Sequence, residues 1–137
     1  MNRHLALDAF GLLKLMEQVR STGGPGKAVE EIWSDENLSM AAEIIHGHYD
    51  WILGANPYNA STVTGIGQNQ PDLFKTNAYE FKPPTPDLPG GVMTGIGGTP
   101  DDRIALRPGW WWTTEYWSPT VMAVILLTNE LDWYYTE

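Results

Sequence analysis

The spacing of apolar residues along the chain predicts three helices. The first covers about residues 5–19, where apolar side chains recur every three or four positions and charged ones take much of the remaining surface. A run of Ser, Thr, Gly and Pro at residues 21–26 then breaks the chain. The apolar positions of this first helix are Leu5, Ala9, Leu12, Leu13, Met16 and Val19.

The second predicted helix covers about residues 37–53, and Gly54 follows it in the usual place of a C-terminal cap. Its apolar side chains fall on one stripe, which is expected to face the core. The stripe consists of Leu38, Ala41, Ile44, Ile45, His48, Trp51 and Ile52.

The third predicted helix covers about residues 118–133. Ser118 suits the N-cap and Pro119 the first helical position. Residues 121–127 form the longest apolar run of the chain. Because its first two turns are apolar on nearly every side, we expect them to be buried all round.

Residues 55–117 show no sustained period of 3.6 or 2, and Pro and Gly interrupt every candidate element. Connections inside compact domains usually run to about 4–6 residues. The region is therefore either a large functional loop on a scaffold or a sign that the chain is part of something bigger. Three helices make a poor scaffold for such a loop, so the second interpretation fits better. Within it, residues 63–67 (VTGIG) are echoed by residues 93–97 (MTGIG), which we interpret as two similar glycine turns.

Composition narrows the function classes. Lys and Arg total 8 against 17 Asp and Glu, a formal net charge of -9, which argues against a nucleic-acid or anionic-membrane surface. No apolar run approaches the roughly 18 residues of a membrane span. The chain has no cysteine, which excludes disulfides, zinc–thiolate sites and thiol catalysis.

The richest chemical cluster is one carboxylate, Glu115, among five aromatic rings just before the third helix. Apolar neighbours raise the pKa of a carboxylic acid, as a general acid near neutral pH requires, and aromatic faces stack on sugar rings. The alternative is that the rings are core residues and Glu115 caps the helix. The rings belong to Trp110, Trp111, Trp112, Tyr116 and Trp117.

The sequence signal for metal ligands is weaker than the signal around Glu115. His46 and His48 are two residues apart on a helix and therefore lie on roughly opposite faces, whereas metal pairs on helices favour a spacing of four. Asp101 and Asp102 could bind calcium, but an acidic pair in a loop is usually solvated. We predict no metal and no cofactor.

Residues 49–67 (YDWILGANPYNASTVTGIG) resemble a hallmark of glycoside hydrolase family 9, in which a late helix ends in D-Y-I-L-G-x-N-P and an S-x-V-T-G-x-G loop follows. Residues 86–98 resemble the P-G-x-L-x-G-G-P-N loop of that family more loosely. Residues 114–116 (TEY), before an apolar last helix, resemble its N-E segment. The resemblance implies an all-α fold: residues 1–137 would be the C-terminal portion of an (α/α)6 toroid, with cleft loops over residues 55–117.

By this resemblance, Glu115 matches the proton donor of an inverting β-1,4-glucanase. The implied partner is a polysaccharide or oligosaccharide, and an extracellular or periplasmic location follows from the resemblance alone. The residues predicted to bind substrate are Asn56, Trp110, Trp111, Trp112, Tyr116 and Trp117.

Two departures from the family limit what is expected. Where members carry an H-H-R run that binds sugar hydroxyls, this chain reads QPDLFK from Gln70. The aspartates that activate the attacking water have no counterpart here, and inversion needs both an acid and a base, about 6.5–9.5 Å apart. We therefore expect the isolated chain to be inactive and to need additional polypeptide or self-association to complete its fold. The alternative function is a non-catalytic carbohydrate-binding or self-assembling helical module.

Overall fold

A computed structural model describes residues 2–22, 34–70, 74–76, 79–81, 89–96 and 116–136. In these residues the chain forms helix α1 (Asn2–Thr22), helix α2 (Asp35–Leu53) and helix α3 (Ser118–Thr136). Strands β1 (Phe74–Thr76) and β2 (Tyr79–Phe81) pair antiparallel, with Phe74 opposite Phe81. The three predicted helices and the all-α character are confirmed, whereas the toroid stays a prediction. The hairpin was not predicted, because three-residue strands are too short to show an alternating pattern.

Local sequence explains both ends of α2. The Ser34 side chain accepts a hydrogen bond from the Asn37 amide at 3.3 Å. The carboxylates of Asp35 and Glu36 lie in the first turn, where they interact favourably with the positive end of the helix dipole. At the other end Gly54 has φ 119°, a left-handed conformation that suits glycine. The predicted glycine cap is therefore confirmed, and the Ala55 amide donates to the Asp50 carbonyl at 2.8 Å, as in a Schellman motif.

Helix α3 begins at Ser118, within the predicted range, but its N-cap is not the predicted residue. The Trp117 carbonyl accepts hydrogen bonds from the amides of Thr120 and Val121 at 2.9 and 3.0 Å. Trp117 therefore takes the cap position that was predicted for Ser118, and Ser118 and Pro119 form the first turn.

The core lies where the three helices meet. Helices α1 and α3 run parallel, because Lys14 pairs with Glu130 and Arg20, further along α1, lies over the ring of Tyr134, further along α3. Helix α2 runs antiparallel to them, because its His46 contacts Tyr135 and its later Tyr49 lies 3.1 Å from the earlier Thr128 hydroxyl. The buried helical side chains of the core are Ala6, Ala9, Leu13, Met16, Ala41, Ile45, Ile52, Ala123, Val124, Leu127 and Leu131.

The prediction that the first turns of α3 are buried all round is wrong. Met122, Ile125 and Leu126 are 62%, 51% and 44% exposed, whereas Leu127 is 0% exposed. No element in the described part of the chain covers this outer face. Among the described helices, none is both long and apolar enough to cross a membrane.

An ionic contact joins α1 to α3 far from the loops. The Lys14 ammonium donates to Glu130 and, at 2.5 Å, to Glu17, and it lies 5.6 Å from the centre of the Trp133 ring. The hydrogen bonds to Glu130 and then to Glu17 raise the pKa of Lys14 above its ordinary 10.5. The ammonium is therefore protonated at neutral pH.

The neighbouring leucines of α3 provide a matched test of this packing. Replacing the buried Leu127 by Ala is expected to lower the free energy of unfolding by about 2–5 kcal/mol, because it leaves a cavity. Replacing the half-exposed Leu126 by Ala is expected to cost less than about 1 kcal/mol. Urea unfolding of both variants measures the difference, and equal losses would contradict the arrangement.

Candidate functional site

The turn after α2 is organised by the side chain of Asn56. Its Nδ2 donates to the carbonyls of Trp51 and Ala60 at 2.9 and 2.8 Å. Its Oδ1 accepts from the amides of Tyr58 and Ala60 at 3.1 and 3.3 Å. Because every polar atom of this side chain is engaged in the turn, a sugar hydroxyl would have to compete with these bonds. The geometry gives Asn56 a structural role, and direct binding of substrate by Asn56 stays a prediction.

Thr62 joins three parts of the molecule. Its hydroxyl donates to the Ile52 carbonyl at the end of α2 at 2.9 Å and accepts from Asn2 Nδ2 of α1 at 2.8 Å. Its carbonyl accepts from the Met93 amide at 2.9 Å. Thr62 is 1% exposed, so these bonds are made where water cannot replace them.

The loop at residues 61–70, which we call the glycine loop, depends on two left-handed glycines. Gly65 has φ 83° and Gly67 has φ 74°. A Cβ at Gly67 would lie 2.7 Å from the Leu53 carbonyl oxygen, so no other residue fits there without movement. Gln70 braces the loop, because its Oε1 accepts from the Gly65 amide at 2.7 Å and its Nε2 donates to the Gly67 carbonyl at 2.9 Å.

A second loop, at residues 89–96, pairs with the glycine loop along the backbone. The Thr64 amide donates to the Gly91 carbonyl at 2.9 Å, and the Gly90 amide donates to the Thr64 carbonyl at 2.7 Å. The interpretation of the two TGIG segments as similar turns is not supported, because Gly65 is exposed and left-handed whereas Gly95 is buried and is not among the described left-handed glycines. The two segments therefore differ at their first glycine, while Gly97 lies outside the described part of the chain.

Tyr116 connects both loops to the start of α3. Its backbone forms an antiparallel bridge with Met93, and its hydroxyl lies 2.5 Å from the Thr64 hydroxyl. Tyr116 is half-buried, and Trp117 is 36% exposed. Two of the predicted aromatic residues therefore flank the place where the two loops and α3 meet.

A groove of about 200 Å³ lies between the two loops, α2 and α3. Its walls are mostly apolar, with Thr128 and Asn129 as polar groups among the lining residues. Pockets for small molecules usually measure about 300–1,000 Å³, so this groove alone is smaller than a typical ligand site. The residues that line the groove include Tyr49, Val63, Ile66, Val92, Ile125 and Asn129.

The other predicted site residues lie outside the described part of the chain. These are Glu115, Trp110, Trp111 and Trp112, and the acidic pair Asp101 and Asp102. Their predicted roles therefore stay predictions.

The two helical histidines have different neighbours, as their spacing predicts. His46 Nε2 lies 2.5 Å from the Tyr135 hydroxyl of α3, whereas His48 lines a groove beside Ile44 and Trp51. Among the described residues, no three His, Asp or Glu side chains come together as a metal site.

Sequence reasoning missed two residues that shape the site. Asn2 is 0% exposed and its Nδ2 donates to Thr62 and, at 2.9 Å, to the Met93 carbonyl. Gln70 was noted only for standing where the resembled family has a sugar-binding run, although it holds the glycine loop in shape. A single Asn or Gln gives no periodic signal, so pattern analysis cannot find such residues.

Comparison of the chain with models of protein families, with curated proteins and with solved structures gives no significant match.

Substitution of Gly67 tests the strained loop. Gly67→Ala is expected to lower the free energy of unfolding by about 1–3 kcal/mol, because it places a Cβ in a left-handed backbone against Leu53 and Ser61. Gly11 of α1, where a Cβ would meet nothing within 4 Å, is the matched control. Gly11→Ala should instead stabilise the chain by about 0.5–1 kcal/mol. If Gly67→Ala leaves the free energy of unfolding in urea unchanged, the loop does not hold this shape.

Substitution of Thr62 tests the buried junction. Thr62→Val keeps the shape but removes the hydroxyl, so Asn2 Nδ2 loses a buried acceptor and we expect a loss of about 1–3 kcal/mol. The exposed Thr136, whose hydroxyl donates to a carbonyl of its own helix, is the matched control. Thr136→Val should change stability by less than about 0.5 kcal/mol in the same thermal or urea measurement. Equal effects of the two changes would contradict the central role of Thr62.

Proposed function

We propose that this chain is the C-terminal segment of an (α/α)6 glycoside hydrolase that acts on a β-linked glucan or a related polysaccharide. In this proposal it supplies the general acid, Glu115, and part of the sugar cleft. The proposal rests on the resemblance of residues 49–67, 86–98 and 114–116 to family 9, together with one observation about how those segments meet.

That observation is the contact between Tyr116 and the glycine loop. Tyr116 directly follows Glu115 in the chain, and its hydroxyl lies 2.5 Å from that of Thr64 while its backbone pairs with Met93. Three segments that are far apart in sequence, and that resemble cleft segments of one family, are therefore neighbours in space. A site assembled from loops on a helical scaffold is a common arrangement for binding and catalysis, which supports a shared cleft.

The proposed chemistry gives Glu115 one role. In its protonated form it would donate a proton to the leaving glycosidic oxygen while water attacks the opposite face of the sugar. A base must activate that water, and the resembled family places its aspartates in a region with no counterpart here. The remaining helices of the toroid would supply it, and Trp110, Trp111, Trp112 and Trp117 would offer stacking surfaces for sugar rings.

Replacing Glu115 by Gln in the complete polypeptide that carries this chain tests the proposal. Turnover of a soluble β-1,4-glucan is expected to fall at least about 100-fold, with glucan binding retained, because only the transferable proton is removed. Asp132, an exposed carboxylate on α3, is the matched control, and Asp132→Asn should leave turnover unchanged. Unchanged turnover in Glu115→Gln would remove Glu115 from the mechanism. Hydrolysis by the isolated 137-residue chain would contradict the proposal that the chain carries only part of the active site.

A second candidate function is a non-catalytic, self-assembling helical module. The outer face of α3 favours it, because Met122, Ile125, Leu126 and Trp133 are all at least two-fifths exposed and recur at helical spacing. Pairing of this face between copies would bury it. Sedimentation velocity distinguishes the two: a chain that stays monomeric at high micromolar concentration contradicts self-assembly.

A further inference from the structure

Helix α2 has a second apolar stripe beside the one that enters the core. The sequence pattern placed Ile44, His48 and Trp51 on the stripe that was expected to face the core, but the structure separates them from the buried residues. Ala41, Ile45 and Ile52 are buried, whereas Met40 and Ile44 are 54% and 49% exposed. The second stripe, which we call the outer stripe, consists of Met40, Ile44, Gly47, His48 and Trp51.

The outer stripe forms one wall of an open groove of about 460 Å³. Four of its residues line this groove, and Leu5 of α1 lines it from the other side. Gly47 lies in the middle of the stripe, and a Cβ built there would meet no atom within 4 Å. The groove is therefore mostly apolar, and its α2 wall has open space at Gly47, where a side chain is missing.

The spacing of the outer stripe suits a second helix. Ile44 and Trp51 are seven residues apart, as are Met40 and Gly47, which is the repeat of a coiled-coil seam. In such packing a large apolar side chain of one helix enters a gap between residues of the other. Gly47 provides a gap of this kind between Ile44 and Trp51.

The free edge of the outer stripe is acidic. Glu36, Glu43 and Asp50 are exposed, follow the same seven-residue repeat, and lie on the side of α2 that faces away from the core. Helix α2 contains no Lys or Arg. On α1, Asp8 is exposed one turn beyond Leu5 on the same flank of that helix. Carboxylates thus border the groove on both sides.

We propose that this groove binds an amphipathic helix of another polypeptide segment, with a continuous apolar seam and Lys or Arg on its flanks. The seam would cover Ile44 and Trp51, one bulky side chain would fill the gap at Gly47, and the basic flanks would pair with Glu43 and Asp50. This proposal does not depend on any catalytic role of the chain.

A second copy of this chain is a poor occupant. It would bring the same three carboxylates of α2 against those already present, and like charges in register are unfavourable. Among the described helices, Lys and Arg occur only on α1, as Arg3, Lys14 and Arg20. The apolar face of α1 is already buried in the core, and Lys14 is paired with Glu130.

Binding of two synthetic helical peptides to the 137-residue chain tests this proposal. Both peptides carry Leu at the seam positions, and they differ only in having Lys or Glu at the flanks. Isothermal titration calorimetry is expected to show the Lys peptide binding at least tenfold more tightly than the Glu peptide, with an affinity that falls as salt is added. Equal affinities for the two peptides, or no binding of the Lys peptide, would overturn the proposal.

Variants of the chain locate the binding. Gly47→Leu fills the gap from the solvent side, so it should leave the thermal midpoint of unfolding unchanged or higher while weakening binding at least tenfold. The double change Glu43→Gln and Asp50→Asn should weaken binding of the Lys peptide about fivefold or more. Met122→Lys, on the outer face of α3, is the control that keeps full affinity. Unchanged binding by Gly47→Leu would contradict the proposal, as would a dimer of the unmodified chain that Gly47→Leu dissociates.

Discussion

The arrangement of the loops depends on the buried hydroxyl of Thr62. Its side chain donates to the Ile52 carbonyl near the end of α2, which the Thr62 amide also donates to at 3.0 Å. The same hydroxyl accepts a bond from Asn2 in the first turn of α1 and sits beside the backbone pair that holds the second loop. Because Thr62 is almost fully buried, water cannot replace these partners, so loss of the hydroxyl leaves Asn2 Nδ2 with one hydrogen bond fewer in the interior. The position of Tyr116 relative to the glycine loop follows from this junction.

The helices could be predicted from the sequence because their signals are local. Apolar residues three and four positions apart mark each helix, and the Gly54 cap needs only the preceding turn. The division of the α2 stripe could not be predicted in this way. Periodicity shows that Ile44 and Ile45 are both on an apolar face, but only the position of α1 decides that Ile45 is buried and Ile44 exposed.

The candidate site was predictable in part, and for a different reason. The motif around residues 49–67 drew attention to the glycine loop through resemblance, and Thr64 does lie beside Tyr116. The roles of individual polar residues were harder to predict. Asn56 uses its amide group for the turn that carries it, and Asn2 reaches across sixty positions to Thr62, a contact that no local pattern encodes. Hydrogen bonds of this type follow from the tertiary fold.

The helical bundle is held by different forces at its two ends. Near the loops, neutral hydrogen bonds inside the protein join α1 to its neighbours and are insensitive to ions in solution. Farther along, α1 is joined to α3 through the exposed ammonium of Lys14, whose raised pKa means that its contribution persists below pH 10.5 and vanishes as alkali removes the proton. Concentrated electrolyte or strong base therefore weakens this exposed link between α1 and α3. The apolar contacts between the two helices and the buried hydrogen bonds near the loops do not depend on that charge and persist.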